Sequence, residues 1–175
     1  MRSHLALLPV LVLAGCASAL KPVPTPTEVP ASLQPPAGQT LVAEMLASGV
    51  QIYDCAAKAD GSGTGWVFRA PEAVLADARS HPLGKHYAGP TWEAADGSRV
   101  VGEVKAREPS PTPATAIPWL LLSAKSSSDS GTLAGVRSIQ RLYTGGGVEP
   151  AEACTAQKLG QSARVAYTAT YNFYR

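Results

Sequence analysis

The chain has 175 residues, with Lys and Arg numbering 15 against 13 Asp and Glu, a net charge of +2, three cysteines and three histidines. So even a charge balance offers no basic stripe for nucleic acid, and so few imidazoles and thiols leave little for a multi-ligand metal centre. The chain is long enough for one domain with a real hydrophobic core.

Residues 1–15 read as a secretory leader, with a short head carrying Arg2, an apolar stretch over residues 5–13, and small residues before Cys16. Pro9 interrupts the apolar part, which falls far short of the roughly 20 residues of a spanning helix. Leu13-Ala14-Gly15-Cys16 resembles the lipobox of bacterial lipoproteins. That resemblance implies a diacylglyceryl group on the Cys16 thiol, with Cys16 as the first residue of the mature chain. Ala17 in place of an aspartate favours, by the sorting rules of such lipoproteins, the outer membrane. The expected location is the cell envelope, and the membrane is a partner through the lipid anchor. Each buried methylene contributes about 0.8 kcal/mol, so an anchor with several acyl chains is permanent.

Residues 16–36 form the lipidated cysteine and a proline-rich tether, with prolines at 22, 24, 26, 30, 35 and 36. Such spacing forbids a helix and favours an extended spacer, at about 3.1 Å per residue. Residues 37–175 then make up the domain. Within it, residues 41–46 have helical composition, Leu41 with Met45 and Val42 with Leu46 pairing four residues apart. Gly49-Val-Gln-Ile-Tyr-Asp-Cys55 predicts a strand buried on both sides, and the turn chemistry of residues 60–65 leads into a second strand, Trp66-Val-Phe-Arg69, that Pro71 ends. Residues 71–78 suit one or two helical turns with Pro71 in the first. Thr91-Trp-Glu-Ala, Asp96-Gly97 and residues 98–105 have the form of strand, turn, strand. The prolines at 109, 111 and 113 mark a connection, and the apolar run of residues 116–124 predicts a central strand. Residues 136–144 fit either strand or helix. The alternation of Val165, Tyr167, Ala169, Tyr171 and Phe173 is the clearest strand signal in the chain. The pattern as a whole predicts a mostly β fold, a single-domain antiparallel β-sandwich or barrel with little helix.

With Cys16 committed to lipid, Cys55 and Cys154 remain as a pair in an oxidising compartment, and a disulfide is the natural reading. A reactive thiol pair or a metal site is the alternative, although neither cysteine sits in a C-x-x-C motif. There is no G-x-S-x-G elbow, no EF-hand ligand series and no dinucleotide fingerprint. No cofactor and no metal is expected.

Residues 84–98 carry more polar and special-geometry residues than a loop needs. His86 is suited to general acid or base work, Glu93 or Asp96 to orienting it, and Tyr87 and Trp92 to stacking on a flat or sugar-like ligand. The competing reading makes Trp92 core, Asp96 a turn residue and His86 a hydrogen-bonding strut. Neighbours on a strand face opposite ways, so Trp92 and Glu93 converge only if a bulge or the Gly89-Pro90 corner turns the chain. Gln140 and Arg141, polar residues in an apolar element, either line a pocket or face solvent.

Gly49-Val-Gln-Ile-Tyr-Asp-Cys55, His86-Tyr-Ala-Gly-Pro-Thr-Trp-Glu93, Ile117-Pro-Trp-Leu120, Ile139-Gln-Arg-Leu142 and Tyr167-Thr-Ala-Thr-Tyr171 together resemble a domain-of-unknown-function family of exported bacterial and fungal proteins, from about residue 38 to the C terminus. The resemblance implies secretion and a paired Cys55 and Cys154, and brings no catalytic residues. Some fungal relatives carry a malate dehydrogenase label, which the missing dinucleotide motif does not support here. The leading expectation is a non-enzymatic binding or structural module of the envelope that takes a small molecule, glycan or envelope protein. The alternative is an envelope or extracellular hydrolase or lyase using His86 with Glu93 or Asp96.

Overall fold

The structure, a computed structural model, describes residues 28–175, so the leader, Cys16 and the first part of the tether lie outside the described residues. Eight strands follow one another in space as they do in sequence: β1 (Leu41–Ala57), β2 (Thr64–Ala76), β3 (Pro82–Tyr87), β4 (Thr91–Ala94), β5 (Arg99–Glu108), β6 (Trp119–Ser127), β7 (Ser138–Gly146) and β8 (Ser162–Tyr174). Every neighbouring pair is antiparallel, and β8 returns to β1, closing an up-and-down barrel. Of the sandwich and the barrel that the sequence allowed, the chain forms the barrel.

The side-chain period of two sorts inside from outside. On β8, Tyr167, Ala169, Tyr171 and Phe173 are buried in the barrel, in the alternation read from the sequence. Charged residues such as Glu72, Lys85, Glu103, Lys105 and Arg164 lie on the outward positions. Apolar side chains inside and charges outside are the reverse of a lipid-spanning barrel, whose apolar band faces outward. An eight-stranded barrel is just wide enough for side chains to fill it or for one small ligand to enter. Met45, Leu75, Val100, Ile139 and Phe173 fill one end, and Leu133 and Val136 from the β6–β7 loop cap it.

The segment read as helical at residues 41–46 is the start of β1. Its inward positions, Met45 and Ala47, join the core, so pairing with β8 and β2 overrides a weak local preference. Residues 71–78 are likewise not helical: β2 runs through Pro71 to Ala76. Pro71 is tolerated because it lies opposite Gln51 and beyond the stretch of β2 that pairs with β3, where no hydrogen bond to a neighbour is required of it. A register shift between β1 and β2 next to it leaves Arg69 without an opposite residue. The polar, glycine-containing segment at residues 82–87 gives no strand signal, yet it forms β3. Of residues 136–144, ambiguous in sequence, 138–144 belong to β7, while Val136 and Arg137 complete the loop before it.

The end of the proline-rich segment is packed against the barrel and does not run free to residue 36. A single 3₁₀ turn, Ala31–Leu33, places Leu33 against Trp119 and Leu142 on the outer face, with Val29, Ala106 and Leu121 around it. Gln140, a buried polar residue of β7, points outward and donates from Nε2 to the Leu33 carbonyl at 2.6 Å. Its Oε1 accepts from Tyr174 at 2.7 Å. One outward glutamine therefore ties the incoming chain to the barrel wall.

Cys55 and Cys154 are bonded, with Cα atoms 5.4 Å apart, inside the usual disulfide range. The bond joins the end of β1 to the long β7–β8 connection across a sequence separation of 99 residues. Cys55→Ala is expected to lower the unfolding free energy by about 2–5 kcal/mol. Urea denaturation with and without a reductant measures this, and equal midpoints would show that the connection is held by its other contacts.

Candidate ligand cavity

β3 and β4 are the short strands of this barrel, and that shortness makes its opening. β2 and β5 both extend past them, so the wall drops to the β3–β4 turn at Ala88-Gly89-Pro90. Gly89 adopts φ 123°, a conformation open to glycine, and the turn is held by Thr91 Oγ1 donating to the Ala88 carbonyl at 2.9 Å. Behind this notch lies a cavity of about 460 Å³, within the size range of small-molecule sites. Phe68 and Arg69 of β2 and Val104 and Arg107 of β5 stand on either side of the opening. Gln51, His86, Trp92, Leu120, Arg141 and Tyr171 line the interior.

His86 and Trp92 meet at the cavity floor. They are directly paired across β3 and β4 and stack with ring centroids 4.4 Å apart and an interplanar angle of 11°. Tyr171 approaches both edge-on, at 5.0 and 5.2 Å. The indole fits because Gly102 on β5 has no side chain: a Cβ there would come within 2.9 Å of the ring. His86 is almost wholly buried, and its Nδ1 lies 2.8 Å from the Thr91 carbonyl. A carbonyl only accepts, so Nδ1 carries the proton and the neutral ring presents Nε2 as an acceptor. Burial pushes the imidazole pKa down to about 3; the bond to Thr91 opposes this and the nearby Arg141 charge reinforces it.

Arg141 projects inward from β7 beside Tyr171, its cross-strand partner on β8. Its Nε and Nη2 donate to the Pro118 carbonyl at 3.1 and 2.8 Å, holding the β5–β6 connection over the cavity. No carboxylate pairs with it among the described residues, and burial lowers its pKa, a trend that the charge of Arg107 adds to. The lining holds three arginines, Arg69, Arg107 and Arg141, and no acidic residue. Arg69 is paired with Asp54 at 3.5 Å, on the outside. Three further polar atoms of the lining, Gln51 Nε2, Trp92 Nε1 and the Tyr171 hydroxyl, are buried without a well-formed hydrogen bond, the Tyr171 hydroxyl lying against Arg141 and Tyr167.

The other residues singled out in sequence are elsewhere. β4 has no bulge, so Glu93 faces outward where Trp92 faces in. It lies in a cross-strand ladder between Lys85 (3.3 Å) and Arg99 (2.7 Å) and accepts from the Tyr87 hydroxyl at 2.8 Å. These donors hold its pKa down to about 2, the Tyr87 bond foremost. Tyr87 is therefore also outside the cavity. Asp96 is a turn residue: Oδ1 accepts from the Ser98 amide and hydroxyl, and Oδ2 from the Thr132 amide and hydroxyl, at 2.6 to 2.9 Å. Its pKa is strongly lowered, chiefly by the Ser98 hydroxyl. So His86, Trp92 and Arg141 come together, while Glu93, Asp96 and Tyr87 do not join them, and His86 has no carboxylate partner. Sequence reasoning missed Gln51 and Tyr171. Both sit at inward positions of alternating strands, which marked them as interior without marking them as unpartnered. Among the described residues no group of three or more His, Cys, Asp or Glu is placed to hold a metal.

Because the folded pKa of His86 lies below its ordinary 6.5, the unfolded chain binds the extra proton first on acidification. The stability that neutral His86 represents is complete above pH 6.5 and falls as pH drops toward 3. Between pH 6.5 and 4.5 the folded protein should lose about 1 kcal/mol per pH unit through this residue. His86→Phe should flatten that slope in denaturant titrations, and ring ¹⁵N shifts should show a neutral Nδ1–H imidazole down to pH 4. A histidine that titrates near 6.5 in the folded protein would contradict the buried geometry.

Comparison with curated proteins and with solved structures gives no significant match. Comparison with protein families matches residues 36–175, which span the whole barrel, to the family described as "Protein of unknown function (DUF3455)". The chain belongs to that family.

Proposed function

We propose that this domain is a non-catalytic binding module whose barrel takes a small molecule through the notch between β2 and β5. The observation that carries the reading is the 460 Å³ cavity itself, apolar over much of its wall yet holding buried polar atoms that the protein leaves unsatisfied. An unpartnered buried donor costs about 1–3 kcal/mol, which a structural filler would avoid and a ligand would recover. Pockets that bind small molecules share this make-up, with apolar walls and a few convergent polar groups.

The module works at the cell envelope. The lipobox resemblance at Cys16 supports a lipid anchor, and the charged barrel exterior suits a body that stands in water while the anchor sits in the bilayer. The proline-rich stretch before residue 28 then serves as a short spacer between the two.

A ligand-observed NMR screen of small aromatic and aliphatic fragments tests the cavity. Val104 is exposed at the opening, so Val104→Trp should close the notch without disturbing the fold. Fragments should bind the wild-type protein and lose binding to the folded variant. Absence of binding to the wild type, or full binding to Val104→Trp, overturns the reading. For the anchor, Cys16→Ser should move the protein from the membrane fraction to the soluble fraction of the native host, and intact-mass measurement should show acyl chains on wild type alone. A Cys16→Ser protein that stays membrane-bound would remove the anchor.

A further inference from the structure

The cavity has a chemical bias that its size alone does not give. Three guanidinium groups face or flank it, with no carboxylate among the lining residues. Arg141 is the innermost. Its Nε and one Nη2 hydrogen are used on the Pro118 carbonyl, which leaves hydrogens on a planar fork of five donors for something else. A half-buried positive charge without a counter-charge is costly, and Arg107, exposed at the rim without an ion pair among the described residues, adds repulsion. Around the same space stand Gln51 Nε2, buried and without an acceptor, and the Tyr171 hydroxyl, buried without a well-formed hydrogen bond and lying against Arg141 and Tyr167. Gln51 is 2 % exposed and Tyr171 is 1 % exposed, so water outside the protein does not satisfy them.

Resting on the reading of the barrel as a binding module, we infer that its ligand is a small organic carboxylate, whose head takes Arg141, Gln51 and Tyr171 and whose apolar body lies against Leu120, Leu122 and Ile117. Each part of the arrangement is matched by that chemistry. A carboxylate supplies the missing negative charge, and its two oxygens accept from a guanidinium fork and from neighbouring neutral donors. The neutral His86 contributes no charge of its own, and its Nε2 accepts from a hydroxyl or amide of the ligand, so the positive field comes from the arginines. Arg69 and Arg107 beside the opening draw an anion inward before it reaches the innermost guanidinium.

The role of Gln51 sets stability against binding. If its amide nitrogen serves the ligand and nothing else, Gln51→Leu removes an unsatisfied buried donor, so the empty protein should melt no lower than wild type while carboxylate affinity falls. A glutamine kept for packing or internal bonding would behave in the opposite way.

The experiment is isothermal titration calorimetry with benzoate, indole-3-acetate and octanoate, each against its uncharged amide, on wild type, Arg141→Met and Gln51→Leu. At least one carboxylate should bind the wild type about tenfold or more tightly than its amide, that preference should vanish in Arg141→Met, and Gln51→Leu should weaken the carboxylate severalfold with an unchanged or higher Tm. If Arg141→Met fails to fold, since it also releases Pro118, the Gln51→Leu comparison decides alone. Amides that bind as well as every carboxylate, or a carboxylate affinity untouched by Gln51→Leu and by any folded Arg141→Met, overturn the anion inference while leaving a binding barrel in place. Absence of every ligand, together with an empty fragment screen, overturns both.

Discussion

The pairing of β8 with both β7 and β1 is the constraint on which the rest of the molecule depends. β8 is the last strand of the chain, and it supplies Tyr167, Ala169, Tyr171 and Phe173 to the interior while bonding to the strand that begins the fold. Without that closure β1 and β7 would each expose an unpaired edge, and the inward faces of all eight strands would have nothing to pack against. Closure by contacts this distant in sequence carries a loop-entropy cost. The disulfide, which fixes the β7–β8 connection to the end of β1, limits part of that cost by restricting the unfolded chain.

Closure also explains why the cavity lies where it does. The barrel's bore is set by strand number, and the lower half is filled because all eight strands reach it. The upper half is walled by long strands on most of its circumference and by the short β3–β4 hairpin on the rest. The opening is thus a consequence of strand length, and Pro71 suits the exposed edge of β2 because it presents no N–H for another strand to bind. The floor is rigid, since His86, Trp92 and Tyr171 pack ring to ring. Above that floor Arg141 is held by the Pro118 carbonyl, while Gln51 Nε2 is left without a partner.

Charge is distributed by the same alternation. Every acidic side chain singled out in the sequence faces outward and is spent on structure: Glu93 bridges β3 to β5, and Asp96 ties the β4–β5 turn to the following loop. With the carboxylates outside and Arg141 inside, the interior keeps a positive field that no internal ion pair cancels. The N-terminal approach is built separately, on the outer wall, where Leu33 and Gln140 anchor the incoming chain clear of the opening.

Much of the fold was legible in the sequence because a period of two is a local property. The alternation on β8, the Asp96-Gly97 hairpin, the partnership of Cys55 with Cys154 and the mostly β class follow from residue types and spacing, and the opposition of Trp92 and Glu93 follows from the pleat alone. The strand character of residues 41–46 and 71–76 did not, because their local preference is weak and only pairing to β8 and β1 fixes it. β3 was invisible because Gly84, Lys85 and Pro82 carry no strand preference, and it exists only between β2 and β4. Arg141 and Gln140 show the limit most plainly. They are adjacent polar residues on one apolar strand, and sequence left open whether either met a pocket. Barrel closure sends Arg141 inward to an uncompensated cavity and Gln140 outward to the Leu33 carbonyl. What the sequence determined was which residues alternate; which face became the inside, and which polar groups were left there without partners, was decided by how eight strands met around one axis.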